Sequence, residues 1–133
     1  MINQISVSSY IDNVCFKAKE FQDTEYQKAL DWITDIVNNE HRIKYSECEI
    51  CSSNKQLEQH HISERKHGNE IITVCVKCHK ELTDKQKLWS NSGNKGSFLI
   101  RGLIDVSELK YEKTGIEYYK LIAKQLTEGY KYD

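Results

Sequence analysis

The fold is decided by residues 48–79, which read C-E-I-C at 48–51, Q-H-H-I at 59–62, G-N-E at 68–70 and C-V-K-C-H at 75–79. A Cys-x-x-Cys turn directs two thiolates at one ion, and two such turns together make a closed, tetrahedral zinc site. We therefore predict a structural Zn²⁺ ion with four thiolate ligands, which are Cys48, Cys51, Cys75 and Cys78. The histidines are not needed for that ion, so they are available for another role.

The composition indicates a small intracellular domain. The chain has 133 residues, of which only 38% are hydrophobic, so its core is modest and a bound metal would help to stabilise it. The sequence shows neither a secretory signal nor an apolar run long enough to span a membrane, so we expect no membrane partner and a reducing, cytoplasmic location. There, paired cysteines are metal ligands rather than disulfides, and the leftover Cys15 is expected to be an ordinary buried side chain.

Hydrophobic periodicity predicts helices on both sides of the cysteine-rich segment. Apolar residues spaced three and four apart predict an amphipathic helix over Thr24–Asn38, and two further helices are predicted over 98–109 and 115–126. Residues 1–13 are expected to form a frayed start or a short strand. The chain is therefore divided into an N-terminal helical flank at 1–45, a finger at 46–92 and a C-terminal helical flank at 93–133.

Within the finger, the pattern predicts two strands and a helix. Apolar and β-branched residues predict strands over 57–62 and 71–74, with a charged loop at 63–70 between them. A helix is expected to begin at Cys78 and to run to about Trp89. Such a unit places the end of the first strand, at His60 and His61, against the first turn of the helix, at His79. The predicted fold class is therefore α+β.

Neutral imidazoles near a helix start can hold a divalent ion that keeps open positions. An unligated histidine beside such an ion suggests metal-assisted hydrolysis, in which the histidine takes a proton from water. The formal net charge of −1 does not by itself predict a nucleic-acid partner. Residues 53–96, however, carry eight Lys or Arg side chains against five acidic ones, so a positive surface would belong to the finger.

The run Q-H-H-I, G-N-E and C-V-K-C-H resembles the HNH nucleases in their zinc-stapled treble-clef form, which has a ββα-metal active site. The resemblance covers Cys48 to about Trp89. It implies a small treble-clef zinc finger flanked by helices, and a metal-dependent endonuclease that hydrolyses DNA phosphodiester bonds. It also implies that His61 is the general base and that His60 and His79 hold one catalytic divalent ion, which would be Mg²⁺, Mn²⁺, Ni²⁺ or Zn²⁺.

One position departs from the family pattern. The HNH family usually has Asn five residues before the third zinc cysteine, where it holds the histidine loop and orients the general base. Glu70 stands at that position here, and Asn69 lies one residue earlier. Either Asn69 takes the catalytic role after a small loop adjustment, or the loop is braced in a different way. A carboxylate at Glu70 could contact the ion, although a solvated loop acid is the simpler interpretation.

DNA is the partner that the resemblance implies. Arg65, Lys66 and Lys80 are candidates for contacts to the DNA backbone, which would be salt-dependent and blind to sequence. The flanking helices could supply a homodimer contact or bind a partner protein that brings specificity. The alternative is a non-catalytic treble-clef zinc module that binds nucleic acid or a protein partner. The weak basic surplus and the displaced Asn favour this alternative, whereas the three histidines argue against it.

Overall fold

The computed structural model describes residues 24–38, 42 and 44–131, so the expectations for residues 1–13 and for Cys15 lie outside the described residues. The described part contains four helices and one two-stranded antiparallel sheet, which confirms the prediction of a mixed α+β fold. In chain order the elements are α1 (Thr24–Asn38), β1 (Leu57–His61), β2 (Ile71–Cys75), α2 (Val76–Gln86), α3 (Lys95–Thr114) and α4 (Glu117–Lys131). None of the described helices is long and apolar enough to cross a membrane.

The capping residues explain where the observed helices differ from the predicted ones. Helix α1 has the predicted bounds, but α2 begins two residues before Cys78, because Cys75 caps it and its sulfur accepts a hydrogen bond from the Cys78 amide. Helix α3 is longer than predicted at both ends. Its first turn is capped by the Asn94 side chain, and it ends at Gly115, whose φ of 72° is left-handed.

The hairpin formed by β1 and β2 brings the two cysteine turns close together. Strands β1 and β2 pair in the register Leu57↔Cys75 to His61↔Ile71. The first cysteine turn packs against β2, because the Glu49 amide donates to the Thr73 carbonyl oxygen at 2.8 Å. The second cysteine turn continues directly from β2 into α2. The order along the chain is therefore a cysteine turn, a hairpin, and a helix that begins with the second cysteine turn.

Helix α3 lies directly against the end of β1. A Cβ atom added to Gly102 would collide with the backbone carbonyl group of Ile62. Glycine inside a helix usually costs about 1 kcal/mol relative to alanine, and the sequence alone shows Gly102 only as a weak point in a predicted helix. The close approach of the two backbones is the physical reason for glycine at this position.

A buried ionic cluster joins α1 to the first cysteine turn. The Arg42 guanidinium donates to both carboxylate oxygens of Glu49, at 2.9 and 2.7 Å, and to Asp35 of α1 at 2.7 Å. Glu49 also accepts from the Trp32 indole at 2.9 Å and from the Thr73 amide at 2.6 Å. One carboxylate within the C-E-I-C turn therefore connects helix α1, the turn and strand β2.

Candidate functional site

The four paired cysteines form one cluster that could hold a structural metal such as zinc. Their sulfur atoms all lie within 4.8 Å of one another, and this is the only such group of three or more potential ligands among the described residues. The Cys51 amide donates to the Cys48 sulfur at 3.5 Å, and the Cys78 amide donates to the Cys75 sulfur at 3.5 Å. Each turn therefore directs backbone N–H groups at a sulfur atom, as suits a thiolate.

The chemistry of the four thiols fits a divalent cation. Burial raises the pKa of the Cys78 thiol, and the neighbouring Cys48 raises it further. A thiol in that environment needs a nearby positive charge before it can ionise, and a coordinating metal ion supplies that charge. Four soft thiol donors within 4.8 Å of one another favour zinc among the common metals.

The three histidines named in the sequence analysis lie close together beside this cluster. The rings of His60 and His79 meet edge to face, with centroids 5.3 Å apart and planes at 75°. His60 is 3% exposed, and burial, with His79 and His61 nearby, lowers its pKa to about 3. His61 is only half-buried, and burial together with Arg65 and His79 lowers its pKa as well. Both side chains are therefore neutral at pH 7, as a metal ligand or a general base must be.

Sequence reasoning missed a carboxylate in this group. Glu58 Oε1 lies 3.0 Å from Nδ1 of His79. Residues 58 and 60 lie two apart on strand β1, so Glu58 shares the sheet face of His60, and the two-residue period of a strand could have predicted this. A carboxylate on Nδ1 fixes the ring orientation and leaves Nε2 of His79 for another partner.

In the loop between the two strands, Asn69 and Glu70 differ in their exposure to solvent. Asn69 is exposed, whereas Glu70 is buried. The backbone oxygen of Glu70 accepts from the Ile62 amide at 2.9 Å, and its carboxylate folds back against Gly68. The structure therefore does not bring the Asn69 side chain into the histidine cluster, and the position where the HNH pattern has Asn supports the loop through Glu70.

The candidate DNA-binding residues lie at the surface around the cluster. Arg65 and Lys66 are exposed in the loop, and the exposed Lys80 pairs with Asp84 at 3.1 Å. The loop itself is anchored, because the ring of His67 stacks on Phe98 of α3 with centroids 3.7 Å apart and planes at 3°. His67, to which sequence analysis gave no role, thus holds the basic part of the loop against α3.

The structure thus gathers two neighbouring groups: four thiols within reach of one ion, and three histidines with the Glu58 carboxylate. The first group comes from the turn before β1, the end of β2 and the first turn of α2, and the second comes from β1 and α2. The interpretation of both rests on their geometry and chemistry. Comparison of the chain with known protein families, curated proteins and solved structures finds no significant match to any of them.

Proposed function

We propose that this protein is an HNH-type endonuclease that hydrolyses DNA phosphodiester bonds with one divalent ion. The observation that carries the proposal is the edge-to-face contact of the His60 and His79 rings, whose centroids lie 5.3 Å apart, with His61 next to His60 in the chain. The order of cysteine turn, hairpin and cysteine-capped helix supports a treble-clef core for this unit. A module needed only for its structural zinc has no use for three histidines at this place.

The roles of the histidines follow from their burial and contacts. His60 and His79 would hold the ion, and Glu58 orients the His79 ring through Nδ1. When bound, the ion would stabilise negative charge on the phosphate and on the departing 3′ oxygen. His61, partly open to solvent and neutral, would take the proton from the attacking water. Two protein ligands suffice for Mg²⁺, Mn²⁺, Ni²⁺ or Zn²⁺ in such a site, because phosphate oxygens and waters complete the shell.

The surroundings of the histidine cluster are suited to a DNA backbone. Arg65 and Lys66 lie exposed in the loop that follows His61, and the exposed Lys80 follows His79, so positive side chains come directly after the proposed base and after one proposed ligand in the chain. These contacts would not depend on base sequence. Specificity would then come from the flanking helices, through a second copy of the chain or through a partner protein.

The second candidate is a non-catalytic zinc module that binds nucleic acid or a protein. The observation that favours it is the exposed Asn69 side chain, which lies outside the histidine cluster. In that case the contact between His79 and Glu58 would be an ordinary ion pair at the surface, and such pairs contribute little to the free energy of unfolding.

A metal titration separates the two candidates. Protein loaded with one zinc ion per chain is titrated with Mn²⁺ or Ni²⁺ and followed by calorimetry. We expect a second site, weakened by at least about tenfold in His60→Ala and in His79→Ala, because each change removes a ligand. His67→Gln is the matched control, since His67 stacks on Phe98 away from the cluster. One tight zinc ion, with no second site that depends on His60 or His79, would support the binding module instead.

A further inference from the structure

We infer that Gln86 is a positioning residue that fixes the backbone of His61 at the end of strand β1. Gln86 is the last residue of α2, and its side chain reaches across to the end of that strand. Its Nε2 donates to the His61 carbonyl oxygen at 2.9 Å and lies 3.4 Å from the carbonyl oxygen of Ile62. The inference rests on the proposed nuclease function, because His61 needs precise orientation only if it acts on a substrate.

The sheet supports this backbone on its amide side, where the Ile62 amide donates to the Glu70 carbonyl oxygen at 2.9 Å. The β-ladder ends with the pair His61↔Ile71, so the carbonyl groups that follow are outside the regular pairing. Within the turn, the Glu64 amide donates to the His61 carbonyl oxygen at 3.3 Å, which is a longer bond than the one from Gln86. The amide of Gln86 therefore supplies the shorter of these two hydrogen bonds to the His61 carbonyl.

A second element, α3, lies against the carbonyl group of the next residue, Ile62. The backbone of α3 at Gly102 lies so close to the Ile62 carbonyl group that a Cβ atom there would collide with it. The carbonyls of His61 and Ile62 are thus held between the end of α2 and the middle of α3. Because the direction of a side chain follows from its backbone, this arrangement sets the direction of the His61 imidazole.

The same amide also contacts the proposed ligand beside the base. Nε2 of Gln86 lies 3.4 Å from Nε2 of His60. One side chain on α2 is therefore adjacent both to the buried histidine and to the backbone of the half-buried one. The exposed Asn69 side chain makes neither of these contacts. Glu70 supports the turn through its backbone oxygen, which accepts a hydrogen bond from the Ile62 amide.

The test replaces the amide with a side chain of similar length that has no N–H group. Gln86→Met and the control Leu88→Met are compared with the wild type in zinc-loaded form, since Leu88 is 86% exposed two residues further along. Plasmid cleavage gives kcat and KM, and NMR gives the carbonyl ¹³C shifts of His61 and Ile62. We expect kcat to fall by about 10- to 100-fold in Gln86→Met, with KM and zinc content unchanged and both carbonyl shifts altered.

The outcomes separate this inference from the nuclease proposal. If the wild type cleaves DNA and Gln86→Met matches Leu88→Met in kcat, the positioning role is wrong and the nuclease proposal stands. If the wild type cleaves nothing, the nuclease proposal fails, and unchanged carbonyl shifts would overturn the backbone contact as well. If Gln86→Met does not fold, Gln86→Glu takes its place, because its carboxylate keeps the length and removes both N–H donors. Gln86→Glu is expected to lose at least as much kcat.

Discussion

In the presence of a strong metal chelator at pH 7, strands β1 and β2 and helix α2 are expected to lose their structure. The four sulfur atoms that lie within 4.8 Å of one another come from two turns that are 23 residues apart, 52–74. Structural zinc in finger peptides contributes about 10–16 kcal/mol to folding, and a whole domain is usually stable by only about 5–15 kcal/mol. A two-stranded hairpin has marginal stability by itself. The free energy lost with the ion should therefore be larger than the stability of the hairpin without it.

The measurement is amide hydrogen exchange together with thermal unfolding, with and without chelator. Cys78→Ser should resemble the chelated wild type, because it removes one buried ligand. Cys15→Ser is the matched control, since Cys15 is the one cysteine outside the two pairs. An unchanged melting temperature and unchanged protection of the β1 and β2 amides after the metal is stripped would contradict the structural role of the ion.

Arg42→Met is expected to reduce the free energy of unfolding by about 3–5 kcal/mol. The side chains of Arg42 and Glu49 are only 2% and 6% exposed, so the substitution leaves a buried carboxylate without its cation. That carboxylate still faces the Trp32 indole and the Thr73 amide and has the Lys110 ammonium nearby, but none of these replaces the two direct hydrogen bonds from the Arg42 guanidinium. The cost arises from the unpaired Glu49, and the double variant Arg42→Met/Glu49→Met should recover a large part of it.

Urea unfolding of the zinc-loaded protein measures this effect. Lys28→Met is the matched control, because it breaks the Lys28–Glu25 pair, whose side chains are 73% and 67% exposed. An exposed pair of this kind contributes about 0–1 kcal/mol. A loss for Arg42→Met no larger than the loss for Lys28→Met would show that the buried cluster does not join α1 to the cysteine turn as its hydrogen bonds indicate.

Local patterns were enough to predict the elements themselves. The apolar stripe of α1 gave its bounds without error, and the spacing of the cysteines predicted a four-thiol cluster that the structure brings together. The order of strand, strand and helix also predicted that His60 or His61 would lie against His79, and in the structure the His60 ring contacts it. The helix and strand predictions depend on residues that are close together in the sequence. The cysteine prediction depends on a ligand set that can be arranged around one ion in a single way.

Contacts between distant segments could not be predicted in the same way. The partner of Glu49 is Arg42 and the partner of Trp89 is Asp105, and no periodicity links either pair. In the sequence, Gln86 is one polar residue near the end of a predicted helix. Only the packing of α2 on β1 brings its side chain to the His61 carbonyl oxygen. The length of α3 was underestimated because its capping residues, Asn94 and Gly115, lie beyond the apolar stripe from which its bounds were predicted.

The nuclease proposal is tested most directly by plasmid cleavage with zinc-loaded wild type and His61→Ala, each with Mg²⁺, Mn²⁺ or Ni²⁺. We predict that the wild type nicks or cuts the plasmid and that His61→Ala loses about 10²- to 10⁴-fold in rate, the range expected for a general base. The variant should keep its fold and its zinc, since His61 is only half-buried. Equal cleavage by both proteins, or no cleavage by the wild type on supercoiled, linear and branched DNA, would contradict the proposal.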